Sequence, residues 1–158
     1  MTMQHTYTVR VEWTGNTGTG TAGHRSYARA HEITARGLPA IQGSADPAFH
    51  GDPSRWNPEQ LLLAALAQCH LMSYLYFCAA DGVVVTAYTD QPVGTLTRSG
   101  VSGQFSEAVL HPVVEVAEAG MVDRALALHT DANRACFIAN SVNFPVHHRP
   151  VVTVRAGA

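Results

Sequence analysis

The sequence predicts an α+β fold in which antiparallel strands wrap a buried central helix. Three observations predict it. Residues 60–80 carry no charged side chain and lie between a helix start and a helix stop. Alternating, β-branched segments precede and follow that stretch, and a second, amphipathic helix comes late in the chain. Strands, a buried helix, strands, a helix and a closing strand are the element order of an α+β domain, and 158 residues suffice for a single domain spanning 1–158 with a real core.

From the N-terminus, residues 7–13 alternate Tyr7, Val9, Val11 and Trp13 with Thr8, Arg10 and Glu12, the pattern of a half-buried strand. The Gly- and Thr-rich residues 15–23 read as a hairpin loop. A second strand is expected over 24–35, with Tyr27, Arg29, His31 and Ile33 on one face, and a short third over 39–43. Residues 44–56 hold two Asp-Pro pairs and a glycine, which predicts an ordered irregular loop.

That loop leads into the central helix. Asn57 is a good N-cap, Pro58 fits the first helical position, and Gln60 closes a capping box onto Asn57. Gly82 suits the left-handed position after the last turn, and Val83, Val84 and Val85 favour strand. The helix is apolar on nearly every face, so burial on all sides is expected. A membrane span is disfavoured because Gln68, Cys69 and His70 would lie unpartnered at mid-bilayer and no basic cluster flanks either end.

Strands are then expected over 83–90, 94–98 and 104–116, the last bent or set on an edge by Pro112, with turn residues at 99–103. Val122, Ala125, Leu126, Leu128 and His129 recur at helical spacing, predicting an amphipathic helix over 121–133. Residues 134–141 suit either a continued helix or a stop. His147 and His148 read as a turn before Pro150, and 151–155 as the final strand. One sheet covers only one side of an apolar helix, so an intertwined homodimer with packed central helices is expected.

The formal charge of −2 gives no reason to expect a nucleic-acid partner. The first residues lack the apolar core of a signal peptide, so a cytoplasmic location, with reduced thiols, is expected. Cys69 in the central helix and Cys136 near the second helix then suggest a redox pair, with each also readable as a small packed hydrophobe, whereas Cys78 reads as core packing. A thiol reacts as its thiolate, apolar surroundings disfavour that form, and an arginine placed close by reverses this. His70, His129 and Cys136, with His24 and His31, form a rival set of metal ligands, although no tight His-x-x-x-His or Cys-x-x-Cys unit is present. A cysteine-dependent acyl transferase is a further option from the adjacency of Cys69 and His70, but consecutive helical residues point about 100° apart. His50 and Asp52 read as solvated loop residues that rim a pocket at most.

The segment NPEQLLLAALAQCH, with Asn57, Pro58, Glu59 and Cys69, and the later residues 129–146 around Cys136 resemble the two cysteine motifs of the OsmC/Ohr family of thiol-dependent peroxidases. The likeness extends upstream to SADPAFHGD and SYARAHEI. Phe137 follows Cys136 where better-known members carry proline, and His70 follows Cys69 where they carry an apolar residue, which marks a divergent branch. The resemblance implies two sheets around central helices, a dimer with its site at the subunit interface, and reduction of alkyl or lipid hydroperoxides. It implies Cys69 as the attacking thiol and Cys136 as its disulfide partner. It also implies an early arginine that holds Cys69 as thiolate, and Glu59 as the anchor of that arginine. The arginine is Arg25 or Arg29, with Arg29 favoured by its phase with Tyr27 and His31. Leu66, Met72, Phe137 and Trp56 suit an apolar substrate. No cofactor or metal is implied, since an external thiol or dithiol regenerates the enzyme. The alternative is a stress-associated binding or structural protein that keeps the fold without a complete redox cycle.

Overall fold

The computed structural model describes residues 2–157. The described chain forms two compact units that divide after Leu61.

The first unit is built on an antiparallel sheet of β1 (Arg10–Trp13), β2 (His31–Thr34) and β3 (Ile41–Gly43), in the order β1-β2-β3. Two of these strands are much shorter than the alternation predicts. Residues 7–9 lie outside β1, and the second strand begins at His31, so Arg29 is not a strand residue. Irregular pairing takes the place of the ladder there. Thr14 donates to the Ala30 carbonyl, Ala28 to that of Gly15, and the Trp13 indole N–H reaches the Ala28 carbonyl at 2.8 Å. The loop over 44–56 is ordered as expected. Asp46 caps a short 3-10 turn over Pro47–Phe49, and a Cβ at Gly51 would stand 1.6 Å from the Ala45 carbonyl oxygen, so no other residue fits unchanged.

Helix α1 (Pro58–Ala80) spans the division. Its start is the expected capping box: the Asn57 side-chain oxygen accepts from the Gln60 N–H at 2.8 Å, and Gln60 Oε1 accepts from the Asn57 N–H at 3.1 Å. Its stop is Gly82 at φ 75°, where a Cβ would be strained. Burial departs from expectation. Only Leu66, His70, Tyr74 and Cys78 are fully buried, one stripe at intervals of four, while Met72, Leu75 and Tyr76 are exposed in this chain.

The second unit packs α1 and α2 (Val122–Ala135) with two further sheets. One has the order β4 (Val85–Asp90), β7 (Pro112–Val116), β9 (Val151–Val154); the other has β5 (Val93–Ser99), β6 (Ser102–Leu110), β8 (Val146–His148). The single long strand expected over 104–116 is two strands in different sheets, because Pro112 cannot donate to a continuing ladder. β6 pairs β8 and β7 pairs β9 in parallel, and the other pairings are antiparallel. His147 and His148, expected in a turn, belong to β8. Residues 134–141 resolve as a helix stop: α2 ends at Ala135, Cys136 is its extended C-cap, and a 3-10 turn covers Ala139–Ser141. The core has two parts, one around Tyr74, Cys78, Val114, Val116 and Leu128, the other around Leu66, Ala108 and Leu110. Cys78 is therefore core packing, as expected.

Candidate active site

Cys69 lies on the middle turns of α1 and Cys136 caps α2, and the fold of the second unit brings the two thiols close enough to influence each other. No disulfide joins them. Cys136 is fully buried and Cys69 partly so. Burial, then its neighbour Cys69, push the Cys136 thiol up to about 11, while the Ala139 N–H, 3.4 Å from its Sγ, acts weakly the other way. Cys136 thus keeps its proton.

An open apolar groove of about 340 Å³ is lined by Met72, Ser73, Tyr76, Phe77, Ala135 and Phe137. Met72 and Ser73 stand one turn beyond Cys69 on α1, and Ala135 and Phe137 flank Cys136, so the groove adjoins the thiol pair. Phe137 is 81% exposed and presents its ring to solvent, whereas Leu66 is buried in the core and does not line the groove. Trp56 lies in the first unit, exposed, beside Arg55 and Gln60.

The remaining residues expected at the site belong to the first unit. Arg29 is half-buried there: its guanidinium lies 4.3 Å over the Tyr27 ring and donates to the carbonyls of Tyr27 at 2.9 Å and His24 at 2.8 Å. Arg25 is exposed on the same segment. Glu59, on the first turn of α1, has one carboxylate oxygen buried without a hydrogen-bond partner. α1 is continuous, so Glu59 and Cys69 are separated by about 15 Å along its axis at the usual rise. His50, at φ 64°, and Asp52, bonded to Ser54, are loop residues.

The histidines hold the clearest departure from the sequence reading. His70 Nε2 and His129 Nδ1 are 3.0 Å apart, and both residues are wholly buried. His148 lies against them, with ring centroids 5.7 and 6.1 Å away, and Tyr74 stacks on His129 at 3.9 Å. Burial first, then His148, lower His70 to about 4; burial, then His70 and His148, lower His129 to about 3; and burial lowers His148 as well. Among the described residues no group of three or more His, Cys, Asp or Glu side chains is arranged to hold a metal ion. The His70 ring is engaged with His129, which leaves it unsuited as a base for Cys69 and removes the motive for an acyl transferase. Tyr74 follows His70 by four residues and so shares its face of α1, whereas His148, read as part of a turn, comes from β8, and nothing local in the sequence marks its approach to His70.

A family model described as OsmC-like protein matches residues 51–150 of this chain. The chain belongs to the OsmC-like family. Its fold agrees with solved members. An OsmC-like protein of unknown function from Vibrio cholerae aligns with a TM-score of 0.83 at 27% identity, over 94% of this chain and all of that one. An organic hydroperoxide resistance protein from Elizabethkingia anophelis aligns at 0.68 and 15% identity, covering 97% of this chain and 100% of the other. An organic hydroperoxide resistance protein OsmC from Legionella pneumophila does so at 0.66 and 18%, with the same coverage. No match is found among curated proteins.

Proposed function

We propose that this OsmC-like chain is a cytoplasmic, thiol-dependent peroxidase that reduces alkyl or lipid hydroperoxides and acts as a homodimer. The observation that carries the reading is that Cys69 on α1 and the buried Cys136 at the end of α2 come together beside an apolar groove. The Cys69 thiolate attacks the distal peroxide oxygen, the O–O bond breaks, and the alkoxide takes a proton to leave as an alcohol. The resulting sulfenic acid on Cys69 is attacked by the Cys136 sulfur, which loses its proton; the S–O bond breaks and water leaves, giving a disulfide. An external thiol or dithiol reduces it.

In this reading Arg29 stabilises the Cys69 thiolate and the developing alkoxide, and Glu59 anchors Arg29. The length of α1 between Glu59 and Cys69 favours a site shared by two subunits. The exposed apolar side chains of Met72, Leu75 and Tyr76 favour the same arrangement, since a second copy would cover them. Stopped-flow mixing with an organic hydroperoxide tests the proposal. Rapid consumption by wild type, abolished in Cys69→Ser, supports it; a Cys69→Ser protein as fast as wild type refutes it.

One observation favours a second reading, a binding protein without the redox cycle: the Arg29 guanidinium is already engaged by Tyr27 and His24. In that case Cys69 alkylates slowly with iodoacetamide at neutral pH. Fast, pH-insensitive alkylation excludes it.

A further inference from the structure

Helices α1 and α2 of the second unit meet along an antiparallel seam. Rising along α1 and falling along α2, the contacts are Cys69 with Cys136, His70 with His129, Tyr74 with Ala125, and Asp81 with Arg124. The thiol pair is one end of this seam. His129 and Cys136 are seven residues apart, two helical turns, and therefore share one face of α2. Cys136 is also tied to its own segment: the Asn140 N–H donates to its carbonyl at 3.0 Å, its N–H reaches the Asn133 carbonyl at 3.4 Å, and the Ala139 N–H reaches its Sγ at 3.4 Å. The polar layer lies next to this chain end on the same seam, while Ile138 and Ala139 pack on the apolar cluster of Leu66 on its other side.

That layer tolerates only neutral rings. Two neutral imidazoles carry two ring protons between four nitrogens, and one N–H···N bond uses one of those protons. His70 Nδ1 and His129 Nε2 are buried without a partner. A third proton must sit on one of these, placing a charge in the core. A fourth removes the acceptor and destroys the bond. The titratable groups facing the pair are Tyr74 and, beyond it, Cys78 on α1, His148 on β8 with His147 behind it, and Tyr88 on β4, which stacks near Tyr74 and neighbours Asp90. No carboxylate contacts either ring among the described residues, so an added charge has no counter-ion.

We propose that His129, through its hydrogen bond to His70, is the positioning residue that holds Cys136 against Cys69, and that protonation of this layer unseats Cys136 and makes the intramolecular disulfide acid-sensitive. The inference rests on Cys69 and Cys136 being the redox pair of the proposed function. It makes disulfide closure, rather than peroxide attack, the step that fails in acid.

The test is a redox equilibrium, with a dithiothreitol couple supplying the oxidant, so that it does not depend on peroxidase activity. The effective concentration of the Cys69–Cys136 pair is measured by thiol trapping between about pH 7.5 and about pH 5, which brackets the ordinary imidazole range. Wild type is expected to lose about tenfold or more over that interval, the size of one coupled proton. His129→Gln, which keeps a hydrogen-bonding group but does not titrate there, is expected to match wild type at the upper pH and to fall about half as steeply, since His70 still titrates. A flat wild-type profile, an unchanged slope in His129→Gln, or failure of the pair to form a disulfide at all overturns the proposal. Should the variant not fold, amide exchange of wild type decides: protection over residues 130–141 is expected to fall at the lower pH, and unchanged protection overturns the inference. Absence of peroxide reduction with an intact pH-dependent disulfide would sink the peroxidase reading alone.

Discussion

At the residue scale, the chemistry depends on which of two thiols holds the proton. Cys136 is the buried one, and burial, then its neighbour Cys69, favour its protonated form. Removing that sulfur leaves oxidised Cys69 without its neighbour. Cys136→Ser is therefore expected to consume one equivalent of organic hydroperoxide and stop, gaining one oxygen on Cys69, whereas wild type loses two hydrogens and yields a linked Cys69–Cys136 peptide on mass spectrometry. A linked peptide absent from wild type would remove Cys136 from the cycle. Tyr74 illustrates a different contribution: its hydroxyl donates to the Ala125 carbonyl at 3.1 Å inside the core, while its ring stacks on His129. Tyr74→Phe keeps the ring and the packing, so the expected cost is about 1 kcal/mol, read from the urea midpoint at constant slope. The cysteine positions were legible from motif and resemblance. The imidazole layer was not, because His70 and His129 are 59 residues apart and nothing local marks the contact.

At the element scale, α1 was the most legible part of the chain, since caps and stops are local chemistry: Asn57, Gln60 and Gly82 act within four residues of the helix ends they define. Asn57→Ala removes the capping oxygen from the Gln60 N–H and is expected to cost about 1 kcal/mol, with Asn57→Ser restoring most of it. Equal stability of all three proteins would show that the box is idle. Which face of α1 is buried could not be read, because a helix apolar all round has no preferred side; the stripe Leu66, His70, Tyr74, Cys78 is selected by what packs against it. The short β2 is the converse case. Its alternation continues back to Tyr27, yet pairing with residues 14–16 through irregular bonds takes Arg29 out of the strand and lays it on Tyr27. At the far end of the helix seam, Arg124 bridges Asp81 with both side chains exposed to water, so solvent and salt screen the pair and a double-mutant cycle on it is expected to show little coupling, less still at high salt.

At the scale of the whole molecule, stability should follow the titration of buried groups. His70 and His129 are lowered to about 4 and about 3 from 6.5, foremost by burial, and His148 is lowered too. For a base whose folded pKa is depressed, the unfolded chain takes up the proton first, so the stabilisation is complete above about pH 6.5 and is lost as pH falls toward the folded values. Asp90, raised by burial, works with the opposite sign, because acid favours its folded form, and so offsets part of the histidine effect. Two lowered histidines against one raised carboxyl leave a net loss of stability between about pH 6.5 and about pH 5. Two fully buried rings contribute about 1.4 kcal/mol each per pH unit, an upper figure of about 4 kcal/mol at pH 5. That is a large share of the stability of an ordinary domain. Urea midpoints measured at intervals across this range are expected to fall steadily in wild type and about half as steeply in His129→Gln, where one of the two protons is gone. A wild-type midpoint that stays constant down to pH 5 would mean that the rings admit water or a counter-ion in solution and that the layer is not dry.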